Sequence, residues 1–297
     1  MTDSTEPSSA MPRAARRRKG RTNAPARAGL AQLPWGQPRY LDAPIEPLDI
    51  EGIDKIHNAA MRILEEIGID FLHDDAREIL AQAGCDIKKD SVTVRMDRAL
   101  VMEQVAKAPK RIVMTPRNPD RALVFGETYA AFGLVSSPPN VSDLDHGRRV
   151  GNRADYQNLL KLAQSFECIH FTGGYPVEPV DLHPSIRHLD CLFDLLTLTD
   201  KLVHAYSLGV ERVEDAMAMV RIAAGLDQEA FEQAPRMFTN INSSSPLKHD
   251  WPMLDGAMRL ARQNQLVIIT PFTLAGAMAP ITLAGAIAQQ TAECLAA

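Results

Sequence analysis

Apolar positions along this chain keep two successive rhythms, a helical one early and an alternation of strand and helix later. Over residues 50–67 the apolar residues Ile53, Ile56, Ala60, Ile63, Leu64 and Ile67 recur at helical spacing, and Gly68 ends the pattern. A second helix is expected to begin at Asp74 or Asp75, to present Ile79, Leu80 and Ala83 on one face, and to close at Gly84. Residues 91–94 and 111–114 read as short strands around a third helix over 97–107, with Pro109 and Pro116 in the turns. Together these predict a small α+β cap over residues 41–120. His57 and His73 sit among charged residues, which places them on the surface.

Residues 122–141 look strand-like, with runs at 123–125 and 129–135 broken by Gly126 and Gly133. Asp143-Leu-Asp145-His-Gly147 has the look of a calcium loop, but Gly147 and Arg148 occupy the positions where an acidic residue and a glycine are needed. A turn between short strands is the expectation there. A helix over 155–166 then leads into a regular alternation. Strand 168–172 precedes a helix over 185–198, strand 201–207 a helix over 213–224, and strand 237–241 a helix over 250–263. Strand 266–270 precedes a helix beginning at Pro280, whose missing N–H is no loss in a first turn. Strands such as Leu266-Val-Ile-Ile-Thr270 are apolar without alternation, as strands buried on both faces are. Successive βα units imply right-handed crossovers and a parallel sheet. No Gly-x-Gly-x-x-Gly or phosphate-loop motif supports a doubly wound nucleotide fold, although pattern alone does not separate that fold from a barrel.

Composition narrows the class without naming a chemistry. A chain of 297 residues with 45% hydrophobic content can bury a large core, so one large domain and a tail are expected. The tail is residues 1–40, rich in Ser, Pro, Ala and Arg, and it reads as a disordered basic arm in which the cluster from Arg13 to Arg21 is solvated. With 32 basic and 37 acidic residues the net charge is -5, which gives no electrostatic case for nucleic acid or a membrane surface. No apolar run approaches the roughly 20 residues that span a bilayer. Arg16-Arg-Arg-Lys19 is followed by no apolar core, so a secretory or twin-arginine signal is not expected. Cys85, Cys168, Cys191 and Cys294 form no Cys-x-x-Cys pair, which argues against a zinc knuckle or disulfide framework and for a reducing cytoplasm.

The most distinctive stretch lies near the C-terminus, where Thr-Leu-Ala-Gly-Ala occurs at Thr273–Ala277 and again at Thr282–Ala286. With the flanking Pro271-Phe and Ala279-Pro-Ile, and with the upstream Asn242-Ser-Ser-Ser-Pro-Leu, this segment resembles the trimethylamine methyltransferase (MttB) family from about Leu41 to the end of the chain. The resemblance implies a TIM (β/α)8-type barrel and a corrinoid-dependent methyltransferase acting on methylated amines, in a family tied to methanogenesis. Counting residues 130–135 as a barrel strand, residues 121–297 would hold about five of the eight strands, an incomplete barrel. Family members are substantially longer, and a truncated fragment is the expectation. The pyrrolysine of the archaeal trimethylamine enzymes would fall beyond residue 297, and many relatives lack it and use quaternary amines such as glycine betaine. The resemblance also implies a cognate corrinoid protein as partner, carrying the cobalamin whose cob(I)amide form takes the methyl group. A homo-oligomer is compatible with this.

In a barrel the chemistry sits at the C-terminal ends of the strands. Those ends present Gly173, Gly174, Tyr175 and Glu178, then Tyr206 with Ser207, then Asn240, Asn242, Ser243 and Ser244, then Thr270, Phe272 and Thr273. Substrate binding is expected at Gly173, Gly174, Tyr175, Glu178, Tyr206, Asn240, Asn242, Phe272 and Thr273, with aromatic faces and a carboxylate suited to a quaternary ammonium. No catalytic residue identifies itself. Gly173-Gly174 also reads as a plain turn, and the Asn242–Ser245 stretch as a helix-capping loop. His170 and His204 lie within strands, where a satisfied core histidine is the usual outcome, and with Cys168 they lack zinc-ligand spacing. His183 and His188 flank a helix start and read as solvated. A TIM-barrel lyase or aldolase would need a Schiff-base lysine, yet Lys201 opens its strand at the wrong end and Lys248 lies in a proline-rich loop. A non-catalytic fragment is the remaining alternative.

Overall fold

Asp49 starts the first helix by accepting a hydrogen bond from the Gly52 N–H, which caps α1 (Ile50–Arg62). The chain widens into a π-turn over Ile63–Ile67 and leaves it at Gly68, whose φ of 87° suits only glycine there, since an added Cβ would stand 2.6 Å from the Val94 carbonyl. β1 (Ile69–Phe71), α2 (Asp74–Gln82), β2 (Asp86–Ile87), β3 (Thr93–Arg95) and α3 (Arg98–Lys107) follow; α2, β3 and α3 lie close to the bounds that the pattern predicts, whereas the short strands β1 and β2 are not among the predicted elements. β3 runs antiparallel to both β1 and β2. The fourth strand of this sheet comes from far along the chain, because Lys248–His249 pairs parallel with β1 through Phe71↔His249. That pairing brings Trp251 over His73. His73 is therefore buried, stacked on the indole at 5.2 Å with its Nε2 3.5 Å from Asp255 Oδ1, and is not the surface residue that its charged neighbours suggest.

The computed structural model describes residues 31–297, and residues 33–297 form one unit; the predicted basic arm up to residue 30 lies outside the described residues. Next in order are the antiparallel hairpin β4 (Arg111–Met114) and β5 (Leu123–Gly126), then β6 (Gly133–Leu134), and a second hairpin, β7 (Asn140–Asp143) and β8 (Gly147–Val150). The last has the expected turn at its tip, with Asp143 Oδ1 accepting from the backbone of Asp145 and His146. The end of the stretch expected as a disordered arm over residues 1–40 is instead tied down at β5, where the Gln37 amide closes on both the N–H and the carbonyl of Val124. After β8 come α4 (Arg153–Ser165), β9 (Phe171–Thr172), α5 (Arg187–Leu198), β10 (Val203–His204), α6 (Val210–Ala224), α7 (Gln228–Glu232), β11 (Met237–Ile241), β12 (Lys248–His249), α8 (Trp251–Arg262), β13 (Leu266–Ile269) and α9 (Leu283–Ala296).

Five of these strands lie side by side in sequence order and run parallel. β6 pairs with β9, β9 meets the residue before β10 through the bridge Phe171↔Leu202, β10 pairs with β11, and β11 with β13. The series is open, and among the described residues no strand closes it into a barrel. Regular pairing in β9 and β10 is shorter than predicted. Pro280 also falls outside the last helix: Thr282 caps α9 by accepting from the Gly285 N–H.

Each face of the series has its own core. Val203, Ala205 and Met237 point toward the helices and pack with Tyr156, Leu195, Met217 and Leu260. Leu202, Phe238, Phe171 and Ile268 pack on Met114 and Leu123 of the β4–β5 hairpin, with Trp35 against them. Burying side chains of this size contributes roughly 1.5–3 kcal/mol each. A third core joins α1, β1 and β3 to α8 and α9 through Ala60, Met61, Leu64, Leu254, Ala292 and Ala296. Among the described residues no helix is long and apolar enough to cross a membrane.

Candidate functional site

Side chains alternate along a strand, so residues two apart share a face. Phe171 with Gly173, His204 with Tyr206, Phe238 with Asn240 and Asn242, and Ile268 with Thr270 all reach one hollow of about 590 Å³ at the C-terminal ends of β9, β10, β11 and β13. Met253 of α8, Ser136, Ser207 and Leu208 complete its wall. Asn242 and Thr270 stand exposed at the rim, where the Thr270 hydroxyl donates to Asn242 Oδ1 at 2.7 Å.

Tyr206 ties the rim together. Its hydroxyl accepts from the Tyr175 N–H at 2.9 Å, lies 2.9 Å from Ser136 Oγ and also bonds Ser137 Oγ. Gly174 makes this possible: its φ is 141°, and an added Cβ would overlap both the Tyr206 hydroxyl and Ser136 Oγ. The Gly173-Gly174 pair is thus more than a plain turn. The Tyr175 ring packs edge-on against Tyr206 at 4.9 Å and Tyr156 at 5.7 Å, and burial pushes its hydroxyl well above the usual tyrosine range.

His204 is the residue that strand position alone undervalues. It is only 6% exposed, set edge-on to Phe238 at 5.0 Å and Tyr206 at 5.2 Å. Neither ring nitrogen has a hydrogen-bond partner of normal geometry. Burial pushes the imidazole down to about 4, against a smaller upward pull from the Asn240 side chain, so at neutral pH the ring carries no charge. His170 is different: its Nδ1 accepts from the Phe132 N–H at 2.9 Å and its Nε2 lies 3.2 Å from the Gly36 carbonyl, a satisfied core histidine.

Other expected site residues fall elsewhere. Glu178 lies in a neighbouring pocket and is engaged by Arg187 at 2.6 Å. Phe272 is 56% exposed on the loop after β13, and neither it nor Thr273 lines the hollow. His188, read as solvated, is half-buried and bonded to Asp215 at 2.8 Å. Lys201 is buried and donates to the carbonyls of Ala163 and Phe166 at the end of α4, where a cation complements the helix dipole; burial pulls its ammonium down to about 8. With Lys248 in the small sheet beside β1, neither lysine reaches the hollow as a Schiff-base amine.

The profile of the trimethylamine methyltransferase (MTTB) family matches residues 13–297. The chain belongs to this family. It is 34% identical over 244 residues to the glycine betaine methyltransferase of Desulfitobacterium hafniense (strain Y51), which covers 82% of this chain and 50% of that protein. It is 25% identical over 203 residues to the trimethylamine methyltransferase MttB of Desulfitobacterium hafniense (strain DSM 10664 / DCB-2), covering 67% of this chain and 40% of the relative. The chain thus spans about half the length of the curated relatives it matches.

One of the two motifs that carry the resemblance to the MTTB family has a structural task that its sequence conceals. Ser243 and Ser245 turn away from the hollow and donate to Glu293 Oε2, while the Leu247 N–H and the Gln289 amide donate to Oε1, each at 2.8 Å. Glu293 is completely buried, and the His249 imidazole lies 3.1 Å from its carbonyl. Asp250, not the serines, caps α8. The loop from Asn242 to His249, which includes the cis Ser245–Pro246 bond, is latched to α9 with Asn242 left facing the hollow.

Proposed function

We propose that this MTTB-family protein takes a methyl group from a quaternary amine of the glycine betaine type and delivers it to the cobalt of a corrinoid carried by a separate protein. We also infer that the sequence-ordered parallel strands belong to a TIM (β/α)8-type barrel, the arrangement that places such a site at the strand ends. The observation that carries the reading is the lining of the hollow, in which aromatic rings, amides and a neutral imidazole stand among aliphatic and hydroxyl side chains and no side chain is charged. A quaternary ammonium has no N–H to donate and is held by aromatic faces, here Phe171, Tyr206 and Phe238. A cationic histidine would repel it, and the low pKa of His204 keeps that ring uncharged.

The leaving amine departs neutral, so the chain has no proton to supply and acts by orientation and by excluding water. The corrinoid is the methyl acceptor and brings the nucleophile. The residues fit an acceptor that arrives from outside, because the exposed Asn242 and Thr270 put the rim within reach of a docking protein. The test mixes the protein with a reduced corrinoid protein and glycine betaine, choline or trimethylamine, and follows corrinoid methylation by absorbance. Methylation with glycine betaine is expected; silence with every amine rejects the reading.

A further inference from the structure

Beside the hollow, and sharing Tyr206 and Leu208 with it, lies a second pocket of about 180 Å³ at the start of α5 and α6. Its charges do not balance. Glu178 and Arg187 offset one another at 2.6 Å, and His188 is occupied by Asp215 at 2.8 Å. Arg212 also lines the pocket, half-buried, and has no ion pair or hydrogen bond among the described residues. Its charge is felt by Tyr175, whose hydroxyl it pulls down slightly against the larger effect of burial. As the third residue of α6 it stands at the positive end of the helix dipole, where a cation is disfavoured. The pocket therefore holds one guanidinium in excess. It is poorly suited to a second ammonium, and its planar fork of N–H donors matches a carboxylate.

We propose that Arg212 binds a carboxylate in this pocket. Two sources share that chemistry: the carboxylate of a betaine whose ammonium faces the hollow, which rests on the methyltransferase reading, or a free small carboxylate, which does not. Under the first, the pocket would separate betaines from amines that lack an acid group.

Calorimetric titration of the full chain, of Arg212→Gln and of Arg212→Lys with glycine betaine, choline and acetate tests the assignment. Arg212→Gln should weaken a carboxylate ligand by about 10- to 100-fold, the range for losing a charge-assisted hydrogen-bonded pair, and leave choline within about 2-fold. Arg212→Lys should recover part of the loss, since it keeps the charge and loses the fork. Loss confined to glycine betaine, or shared by betaine and acetate, identifies the substrate's own carboxylate as occupant; loss confined to acetate identifies a free carboxylate. Either supports the site. A wild-type chain that takes up neither carboxylate, an Arg212→Gln protein that binds both unchanged, or a parallel fall in choline overturns it. Failure of the methyltransferase reading would show separately, as intact binding without methyl transfer to the corrinoid.

Discussion

Two polar clusters flank the short stretch from Asn240 to Leu247, and they are completed in opposite ways. Glu293 is fully buried, and four donors meet its two carboxylate oxygens. His204 is nearly as buried, yet neither of its ring nitrogens has a hydrogen bond of normal geometry, and the nearby Asn240 side chain supplies only a weak upward pull on its pKa. An unpaired buried polar group costs about 1–3 kcal/mol and calls for a physical reason; His73, away from the hollow, is in the same state, so what sets His204 apart is its place on the lining of the hollow. The sequence neighbours Asn242 and Ser243 divide between the clusters because adjacent side chains point to opposite sides. The satisfied cluster holds the loop against α9; the unsatisfied one faces the hollow.

Removing Glu293 is the most severe way to break this contrast. Glu293→Ala leaves Ser243, Ser245, the Leu247 N–H and Gln289 without their acceptor and should lower stability by about 3 kcal/mol or more, read as a shift in the urea midpoint. Glu293→Gln keeps one acceptor oxygen and should cost less. Wild-type stability in Glu293→Ala would show that the latch contributes nothing. Gly174→Ala comes next. A non-glycine residue at φ 141° is strained by about 1–3 kcal/mol, and the added methyl would displace the Tyr206 hydroxyl from the Tyr175 N–H. A lower Tm together with weaker amine binding is expected; an unchanged melting curve would mean that the rim adjusts freely.

The architecture was legible where burial writes itself into local pattern. Leu266–Ile269 is apolar because Val267 packs toward the helices and Leu266 and Ile268 toward the β4–β5 side, although on this outermost strand all four are only half-buried; α4, α5, α6 and α8 announce themselves by periodicity, so the alternation of the larger strands and helices could be read from the chain. What could not be read is what depends on distant partners. His73 is buried only because β12 pairs with β1, and the serines of Asn242-Ser-Ser-Ser-Pro-Leu turn away from the hollow only because α9 brings Glu293 to them. Glu178 has the right charge for an ammonium, but nothing in its local sequence shows that Arg187 engages it. Two-residue spacing carries a further signal of which residues share the hollow: Phe238, Asn240 and Asn242 repeat the step that joins His204 to Tyr206.

Acid sharpens the contrast on the His204 side. Its pKa falls from 6.5 to about 4 on folding, so as pH drops below 6.5 the unfolded chain takes up the proton first and stability is lost progressively down to about 4. At pH 5 the loss from this group is about 2 kcal/mol. His204→Phe should abolish that share, giving a smaller difference between urea midpoints at pH 7 and pH 5 than the wild type shows. Some acid sensitivity will persist, because burial lowers the pKa of His249 as well. An identical pH slope in His204→Phe would mean that the ring is not held neutral.

The smallest effects fall on Asn242 and Ser243, and as a pair they test the contrast most directly. Asn242 is exposed, and the Thr270 hydroxyl that donates to it also lies 3.2 Å from the Ile241 carbonyl, an acceptor to which it can turn. Asn242→Ala should therefore cost no more than about 0.5 kcal/mol of stability, while raising KM for the amine because a polar group at the rim is gone. Ser243 is buried against Glu293, so Ser243→Ala should cost about 1–2 kcal/mol and leave KM near its wild-type value as long as the other three donors hold the carboxylate. Measuring urea midpoints and amine KM for both variants tests whether the two side chains have separate roles, since one faces the hollow and the other faces Glu293. If Ser243→Ala raises KM as much as Asn242→Ala does, the latch and the hollow are one cooperative unit, and the division between satisfied and unsatisfied clusters fails.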